Sequence, residues 1–198
     1  MYGIKNEEYL KSLGPENFLG NLILTKNRSL REMTSAGKSG SFFYYSYDNK
    51  FVLKTISAPE FEFFKSILES YYFHMKEFDS SLIQRFFGLH TMIFNHIKMH
   101  FVIMNNVFNT NIKINFKYDL KGSSHSRMSR SNDDPNYEKF DYNIPMKDND
   151  FVDRKEGFNL HSDEVDSLMD QIKKDSEFLA MNNINDYSLL IGVHDCGN

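Results

Sequence analysis

Residues 42–60, FFYYSYDNKFVLKTISAPE, contain the signals that decide the fold of the first half of the chain. Two runs rich in aromatic and β-branched residues flank Asp48-Asn49, a pair typical of tight turns, so this stretch predicts a β-hairpin. The four residues that follow are typical of a helix start, because Ser57 and Glu60 can form a capping box with a proline between them. This stretch therefore predicts a hairpin followed by a helix.

The same patterns recur along the rest of the chain. A second hairpin is predicted around residues 95–96, and alternating apolar and polar residues from Ile112 to Leu120 predict another strand. Residues 128–158 are polar and contain two prolines, which favours a surface loop or insert. A last helix is predicted from Ser162 to about Met181. Its apolar positions are Val165, Leu168, Met169, Ile172 and Leu179.

Composition limits the class of protein. The 198 residues have a net charge of −4, which argues against a nucleic-acid binder that works by bulk electrostatics, although a local basic face stays open. The single cysteine, Cys196, excludes an intramolecular disulfide and favours a reducing compartment. No apolar run approaches the roughly 20 residues that span a bilayer, and the first residues lack a signal-peptide core. We therefore expect a soluble, cytoplasmic protein.

Two features of the first half suggest nucleotide chemistry. The glycine- and serine-rich stretch SAGKSGS (35–41) offers backbone N–H groups that can bind phosphate. It fits neither the Walker pattern nor the glycine pattern of protein kinases, so spacing alone favours a plain hairpin loop. Lys54 lies in a strand with apolar residues on both faces, where an unpaired ammonium is costly. Lys54 is therefore either an edge-strand lysine that reaches solvent or a lysine that contacts nucleotide phosphates.

Two segments of the second half are candidates for chemistry. KYDLKGSSHSR (117–127) places lysines and an arginine around a turn of small residues. This arrangement fits a solvated charged face or a site for a multiply phosphorylated ligand. Asp186, in NDYSLLIGV (185–193), lies between a helical segment and an apolar strand-like segment. The pattern alone favours a turn residue, and the alternative is a catalytic carboxylate that holds an attacking hydroxyl.

The chain resembles the phosphatidylinositol phosphate kinases, a lipid-kinase family related in fold to protein kinases. The segments that carry the resemblance are GKSGSFFYYSYD, FVLKTIS, LIQRFFGLH, FVIMNNVF, KYDLKGSS, MKDNDF and NDYSLLIGVHD. The most specific of them are D-L-K-G-S and D-Y-S-L-L. The resemblance implies an α+β, two-lobed, protein-kinase-like fold, with a packed helix on an antiparallel sheet and a truncated helical lobe. Residues 1–104 would form the ATP-binding lobe, 105–110 the hinge, and 111–198 the start of the C-terminal lobe with its catalytic loop.

The resemblance also implies site residues and cofactors. ATP and Mg²⁺ would be the cofactors, with Lys54 on the ATP phosphates and Asp186 as the catalytic-loop carboxylate. Lys121 would lie in the active cleft, near ATP and the substrate phosphate, and Arg127 would contact the ring phosphate of the substrate. The other implied ATP-binding positions are Ser39, Gly40, Ser41, Phe42 and Phe43 in the loop over the phosphates, and Asn105, Asn106 and Val107 in the hinge.

The substrate follows from the same resemblance. MNNVF is similar to the phosphatidylinositol 4-phosphate 5-kinase branch and MKDNDF to the 5-phosphate 4-kinase branch. The leading expectation is phosphorylation of phosphatidylinositol 4-phosphate to the 4,5-bisphosphate. In the family, an Ile-Ile-Asp stretch that holds Mg²⁺ and an activation loop lie farther downstream than Asn198, so the metal-binding acid is unknown. We expect either a piece of a longer protein or a reduced version of the family domain.

Two other functions stay open. One is a kinase for soluble inositol phosphates, which the negative net charge and the missing activation loop favour. The other is an inactive domain that binds nucleotide or phosphoinositide, which the missing metal carboxylate favours. The expected partners are a phosphoinositide or inositol phosphate and no nucleic acid, with peripheral contact at the cytoplasmic face of membranes. A homodimer is one candidate assembly.

Overall fold

The computed structural model combines helices with antiparallel sheets, which confirms the α+β class. The chain divides into two units, Met1–Asn109 and Thr110–Asn198. None of the helices among the described residues is long and apolar enough to cross a bilayer. The structure describes residues 4–14, 41, 43–94, 96–129, 144–154, 157–158 and 160–196.

The first unit is built on an antiparallel sheet of four strands. Its elements are α1 (Asn6–Leu13), β1 (Phe43–Tyr45), β2 (Phe51–Ile56), α2 (Ala58–Glu77), β3 (Phe86–Phe94) and β4 (Ile97–Asn105). The strand order is β1-β2-β4-β3, so β2 lies inside the sheet between β1 and β4. Both predicted hairpins are confirmed, because β1 pairs with β2 and β3 pairs with β4, each with its neighbour in sequence.

Local hydrogen bonds explain the first hairpin turn and the start of α2. Asp48 accepts a hydrogen bond from the Ser46 hydroxyl (2.7 Å), and Asn49 has a φ of 57°, a left-handed conformation that asparagine tolerates. The predicted capping box is confirmed. Ser57 Oγ accepts from the N–H of Glu60 (3.4 Å), and Glu60 Oε2 accepts from the N–H of Ser57 (2.7 Å). The position where α2 begins is therefore set by two residues that are only three positions apart in sequence.

Apolar side chains cover both faces of this sheet. On one face Phe51 and Leu53 are buried, and the ring centroid of Tyr9 from α1 lies 5.6 Å from that of Phe51. On the other face the Phe86 ring meets the ring of Tyr71 from α2, with the centroids 5.4 Å apart. Because side chains alternate along β2, its even-numbered residues face α2, and these include Lys54.

The second unit has a two-stranded antiparallel sheet. Its elements are β5 (Phe116–Leu120), α3 (Asp148–Arg154), α4 (Ser162–Met181) and β6 (Leu189–Val193). Tyr118 of β5 is buried, and Met146 forms a parallel bridge beside it. The rings of Phe151 and Phe158 pack against Tyr118, with centroid distances of 5.3 and 6.4 Å. An aromatic cluster therefore packs around the middle of β5.

The structure corrects two sequence predictions in this unit. β5 begins at Phe116 rather than Ile112, whose side chain is 58% exposed. The segment 128–158 is not loop throughout, because within residues 144–154 Met146 is buried and α3 forms. Its acidic residues accept backbone hydrogen bonds, so polar composition did not indicate exposure here.

The apolar positions predicted for α4 are covered only in part, since Leu168, Ile172 and Leu179 are half-buried. Gln171, Asp175 and Phe178 are its buried residues, whereas Val165 and Met169 are 40% and 58% exposed. Gln171 Nε2 donates to Asp175 Oδ1 over 2.9 Å, which offsets the cost of burying two polar side chains. Apolar periodicity cannot find such a face, because it treats every polar residue as exposed.

Candidate functional site

The pairing of β5 with β6 brings the two most family-specific segments together. Leu120 lies opposite Leu189, so the residues that follow β5 lie beside those that precede β6. There Lys121 Nζ donates a hydrogen bond to Asp186 Oδ1 and forms an ion pair with it. The side chain of Asp186 is 85% exposed and that of Lys121 is 32% exposed. The structure thus joins two predicted site residues, with the side chain of Asp186 largely exposed.

Asp148, at the start of α3, holds the turn that carries Lys121. Its Oδ1 accepts the backbone N–H groups of Lys121 (3.0 Å) and Gly122 (2.8 Å), and its Oδ2 accepts Nε–H of Arg127 (2.8 Å). Gly122 has a φ of 70°, which favours glycine. In the sequence, Asp148 stands out only as part of the family segment MKDNDF. Its one sequence signal is an acidic residue at a helix start, which is common to many helices.

These contacts keep Asp148 ionised. Burial of the carboxyl would raise its pKa, but hydrogen bonds from Arg127, Gly122 and Lys121 outweigh burial and lower the pKa from 3.8 to about 2. A carboxyl whose pKa is lower in the folded chain stabilises the fold above its unfolded pKa, and this stabilisation is lost as the pH falls through the folded pKa. The pH window of this effect therefore lies between about 4 and 2.

Replacing Asp148 with asparagine should therefore destabilise the chain in a pH-dependent way. At 1.36 kcal/mol per pKa unit, we expect a loss of about 2 kcal/mol in the free energy of unfolding at pH 7, and roughly half of that at pH 3. Denaturant unfolding followed by circular dichroism at both pH values measures it. Asp170→Asn is the control, because Asp170 is 61% exposed and pairs with Lys174 of the same helix. An equal loss at pH 7 and pH 3 would contradict the assignment.

Arg127 is held inside the second unit. Besides its contact with Asp148, its Nη2 donates to the backbone oxygen of Asp119 and to Asp119 Oδ1 (3.0 Å). Two of its three guanidinium nitrogens thus bind protein oxygens, and the side chain is only 13% exposed. The structure places Arg127 in an ion-pair network, and its contact with a substrate phosphate remains a prediction.

Lys54 lies in the first unit, on the α2 face of β2. It is half-buried, and its Nζ lies 5.7 Å from the ring centroid of Phe43, which is paired with it across the sheet. The ion pairs among the described residues do not include Lys54. Hydrogen bonds from Ser57 lower the pKa of Glu60, with a smaller contribution from the positive charge of Lys54. Lys54 is therefore a partly exposed cation, and its acidic neighbour Glu60 already takes part in the cap of α2.

The three predicted hinge residues differ in how their backbone groups are used. The N–H of Asn105 donates to Arg85 O (3.1 Å), and its C=O accepts from the Gln84 side chain (2.5 Å). The N–H of Asn106 donates to Lys50 O (2.9 Å), and its C=O accepts the N–H of Asn109 (3.1 Å). Val107 is 46% exposed. Among the three, Val107 therefore offers a ligand the most accessible position.

The structure describes only two of the five residues predicted for the loop over the phosphates. Ser39, Gly40 and Phe42 lie outside the described residues, whereas Ser41 is buried and Phe43 lies beside Lys54. The described residues contain no group of three His, Cys, Asp or Glu side chains placed to hold a metal ion. The residue that would hold the Mg²⁺ implied by the resemblance is therefore not identified among the described residues.

Comparison with known proteins classifies the chain. Residues 24–198 match the family described as "Phosphatidylinositol-4-phosphate 5-Kinase". The chain belongs to the phosphatidylinositol-4-phosphate 5-kinase family. This confirms the resemblance found in the seven sequence segments. It also means that Lys121 and Asp186 occur in the D-L-K-G-S and D-Y-S-L-L segments of a member of that family.

Individual relatives agree with this family. A phosphatidylinositol 4-phosphate 5-kinase of Plasmodium falciparum is 36% identical over 98% of this chain, which spans 11% of that protein. Phosphatidylinositol 4-phosphate 5-kinase 1 of Arabidopsis thaliana is 41% identical over 87% of the chain, covering 22% of its own length. A probable phosphatidylinositol phosphate kinase of Dictyostelium discoideum is 39% identical over 98% of the chain and 26% of its own length. The chain thus spans about a tenth to a quarter of the length of these curated relatives.

Proposed function

We propose that the chain contains the ATP-binding and catalytic-loop residues of a kinase that converts phosphatidylinositol 4-phosphate to the 4,5-bisphosphate. Family membership and the names of the relatives support this proposal. The observation on which it chiefly rests is the contact between Lys121 and Asp186, since it joins the two most specific family segments at one exposed point. We further propose the two-lobed kinase arrangement, with residues 1–104 as the ATP-binding lobe, 105–110 as the hinge and 111–198 as the start of the second lobe.

Asp186 is assigned to the acceptor hydroxyl. Its exposed carboxylate can accept a hydrogen bond from the ring 5-hydroxyl and take its proton as the hydroxyl oxygen bonds to the γ-phosphorus. The bond between that phosphorus and the oxygen it shares with the β-phosphate breaks, and ADP leaves. Lys121 holds Asp186 in place and brings a positive charge to the region where the phosphoryl group is transferred. The chemistry is therefore mainly positioning and charge neutralisation.

In the first unit, Lys54 is assigned to the phosphates of ATP. The ammonium is half-buried, and the acidic neighbour Glu60 is held in the α2 cap, so an anionic ligand is a suitable partner for this cation. Val107 is the favoured backbone position for adenine, because it is exposed while Asn105 and Asn106 bond to the protein. Ser41 and Phe43, together with Ser39, Gly40 and Phe42, remain candidates for the loop over the phosphates.

A lipid substrate implies contact with membrane. We propose that this contact is peripheral and at the cytoplasmic face, where phosphatidylinositol 4-phosphate would be presented to Asp186. The homodimer and the use of Mg²⁺ remain predictions of the sequence. Each can be measured on the purified chain, the first by light scattering and the second by titrating Mg²⁺ into the transfer assay.

The test compares three acceptors in the presence of Mg²⁺ and ATP labelled in the γ-phosphate. The acceptors are vesicles containing phosphatidylinositol 4-phosphate, matched vesicles containing phosphatidylinositol, and soluble inositol 1,4-bisphosphate. We expect label only in the lipid bisphosphate from the first vesicles. Label in the soluble product would establish a kinase for soluble inositol phosphates. If the chain binds ATP but transfers no label, it is an inactive binding domain.

A further inference from the structure

Three consecutive residues at the start of α3 fasten the segment that follows β5. Asp148 binds the N–H groups of Lys121 and Gly122 and the side chain of Arg127. Asn149 donates its N–H to Arg127 O (2.8 Å) and its side-chain N–H to Ser124 O (2.9 Å). Asp150 accepts the N–H groups of Ser129 and Lys147, each over 2.8 Å. We call the contacts of Asp148 with Lys121, Gly122 and Arg127 the Asp148 clamp.

The clamp has the properties of a rigid support. The side chains of Arg127 and Asp148 are 13% and 14% exposed, whereas that of Asp186 is 85% exposed. Charge-assisted hydrogen bonds between partly buried groups are stronger and better fixed than those at the surface. The clamp is therefore a partly buried, well-fixed group of contacts, whereas the carboxylate of Asp186 is exposed.

The clamp acts on Lys121 through the backbone. The lysine side chain is long and flexible, so the position of its ammonium depends on where its Cα is held. Asp148 fixes the N–H of Lys121 and that of the next residue, Gly122, while the ammonium at the other end of the side chain meets Asp186. A change at Asp148 is thus transmitted to Asp186 without contact between the two carboxylates.

We infer that Asp148 is a positioning residue that holds Lys121 against Asp186, and that Arg127 acts through Asp148 rather than by binding the ring phosphate of the substrate. This inference rests on the proposed function for its effect on catalysis. The contacts within the clamp do not depend on it. The two parts can therefore be tested separately on the same chain.

The first test measures amide hydrogen exchange by NMR. In Asp148→Ala, exchange at the N–H groups of Lys121 and Gly122 should be roughly tenfold faster or more, because their acceptor is lost. Asp150→Ala is a matched control, since it should instead accelerate Ser129 and Lys147. If the Asp148→Ala chain does not fold, Asp148→Asn keeps the shape but removes the charge and one accepting oxygen, and must still accelerate Lys121 or Gly122. Unchanged exchange at both amides in the folded variant overturns the clamp.

The second test separates positioning from substrate binding. Asp148→Asn and Arg127→Lys should each lower kcat on phosphatidylinositol 4-phosphate vesicles roughly tenfold and leave KM for the lipid within about twofold. The double variant should be no slower than the slower single variant, because both changes break one network. A raised lipid KM in Arg127→Lys alone would make Arg127 a phosphate ligand and overturn the inference.

A binding measurement keeps the inference testable if the chain does not turn over. Sedimentation compares vesicles containing phosphatidylinositol 4-phosphate with matched phosphatidylinositol vesicles. Arg127→Lys should keep the preference of the unsubstituted chain for the phosphorylated lipid, and loss of that preference in this variant overturns the inference. Absence of turnover by the unsubstituted chain would overturn the proposed function, while exchange and sedimentation would still decide the roles of Asp148 and Arg127.

Discussion

Replacing Asp186 with asparagine should lower the rate of phosphate transfer to phosphatidylinositol 4-phosphate about 10²- to 10⁴-fold. The amide keeps the shape of the side chain but cannot take the proton of the attacking hydroxyl. It also cannot form the ion pair with Lys121. The measurement is the initial rate of label transfer to vesicles at saturating ATP. Because the side chain is 85% exposed, thermal stability should change little.

The control for this variant is Asp170→Asn on α4. It removes an exposed carboxylate from the same unit, one that pairs with Lys174 over 2.6 Å and has no proposed part in transfer. This control should retain the rate of the unsubstituted chain. A rate for Asp186→Asn within about threefold of that of the control would contradict the catalytic assignment. Asp186 would then be only a turn residue, which is the role that the sequence pattern alone favours.

Replacing Lys54 with methionine should lower the transfer rate roughly 10²- to 10³-fold. Methionine preserves most of the apolar stem in β2 but removes the charge that we assign to the ATP phosphates. ATP binding should weaken as well, which a fluorescent nucleotide can report without any turnover. The unfolding midpoint should be kept or raised, since no ion pair among the described residues involves Lys54.

Lys50→Met supplies the matched comparison on the same hairpin. Lys50 is 55% exposed, and its Nζ lies 3.9 Å from Asp48 Oδ2. Lys50→Met therefore changes the net charge by the same amount as Lys54→Met without altering the α2 face of β2. We expect this variant to bind ATP and transfer phosphate normally. Equal losses in the two variants would mean that overall charge matters rather than the position of Lys54.

The sequence predicted the elements whose causes are local. The turn at Asp48-Asn49 and the capping box of Ser57 and Glu60 depend on neighbouring residues, and both are found where they were expected. The hairpin of β3 and β4 was also readable, because its strands are consecutive and bounded by a short turn. The family segments also indicated Lys121 and Asp186 as site residues, and the structure shows that these two residues are in contact.

The remainder depends on contacts between distant parts of the chain. Asp148 meets Lys121, Gly122 and Arg127 only after α3 has packed against β5, and composition alone made its segment look like a solvated loop. Arg127 looked like a free cation because its partners, Asp119 and Asp148, are acidic residues among many others. Charge patterns in sequence do not show which ions are paired.

The buried pair of Gln171 and Asp175 limits how the length of the chain can vary during evolution. Each residue inserted into or deleted from a helix rotates everything beyond it by about 100°. Because Gln171 and Asp175 lie on the buried side of α4, an insertion between Asp175 and Met181 would make the chain leave the helix in a new direction. Asp186 follows only five residues later and would be displaced from Lys121. Homologous sequences should therefore tolerate substitutions in this stretch far better than insertions or deletions.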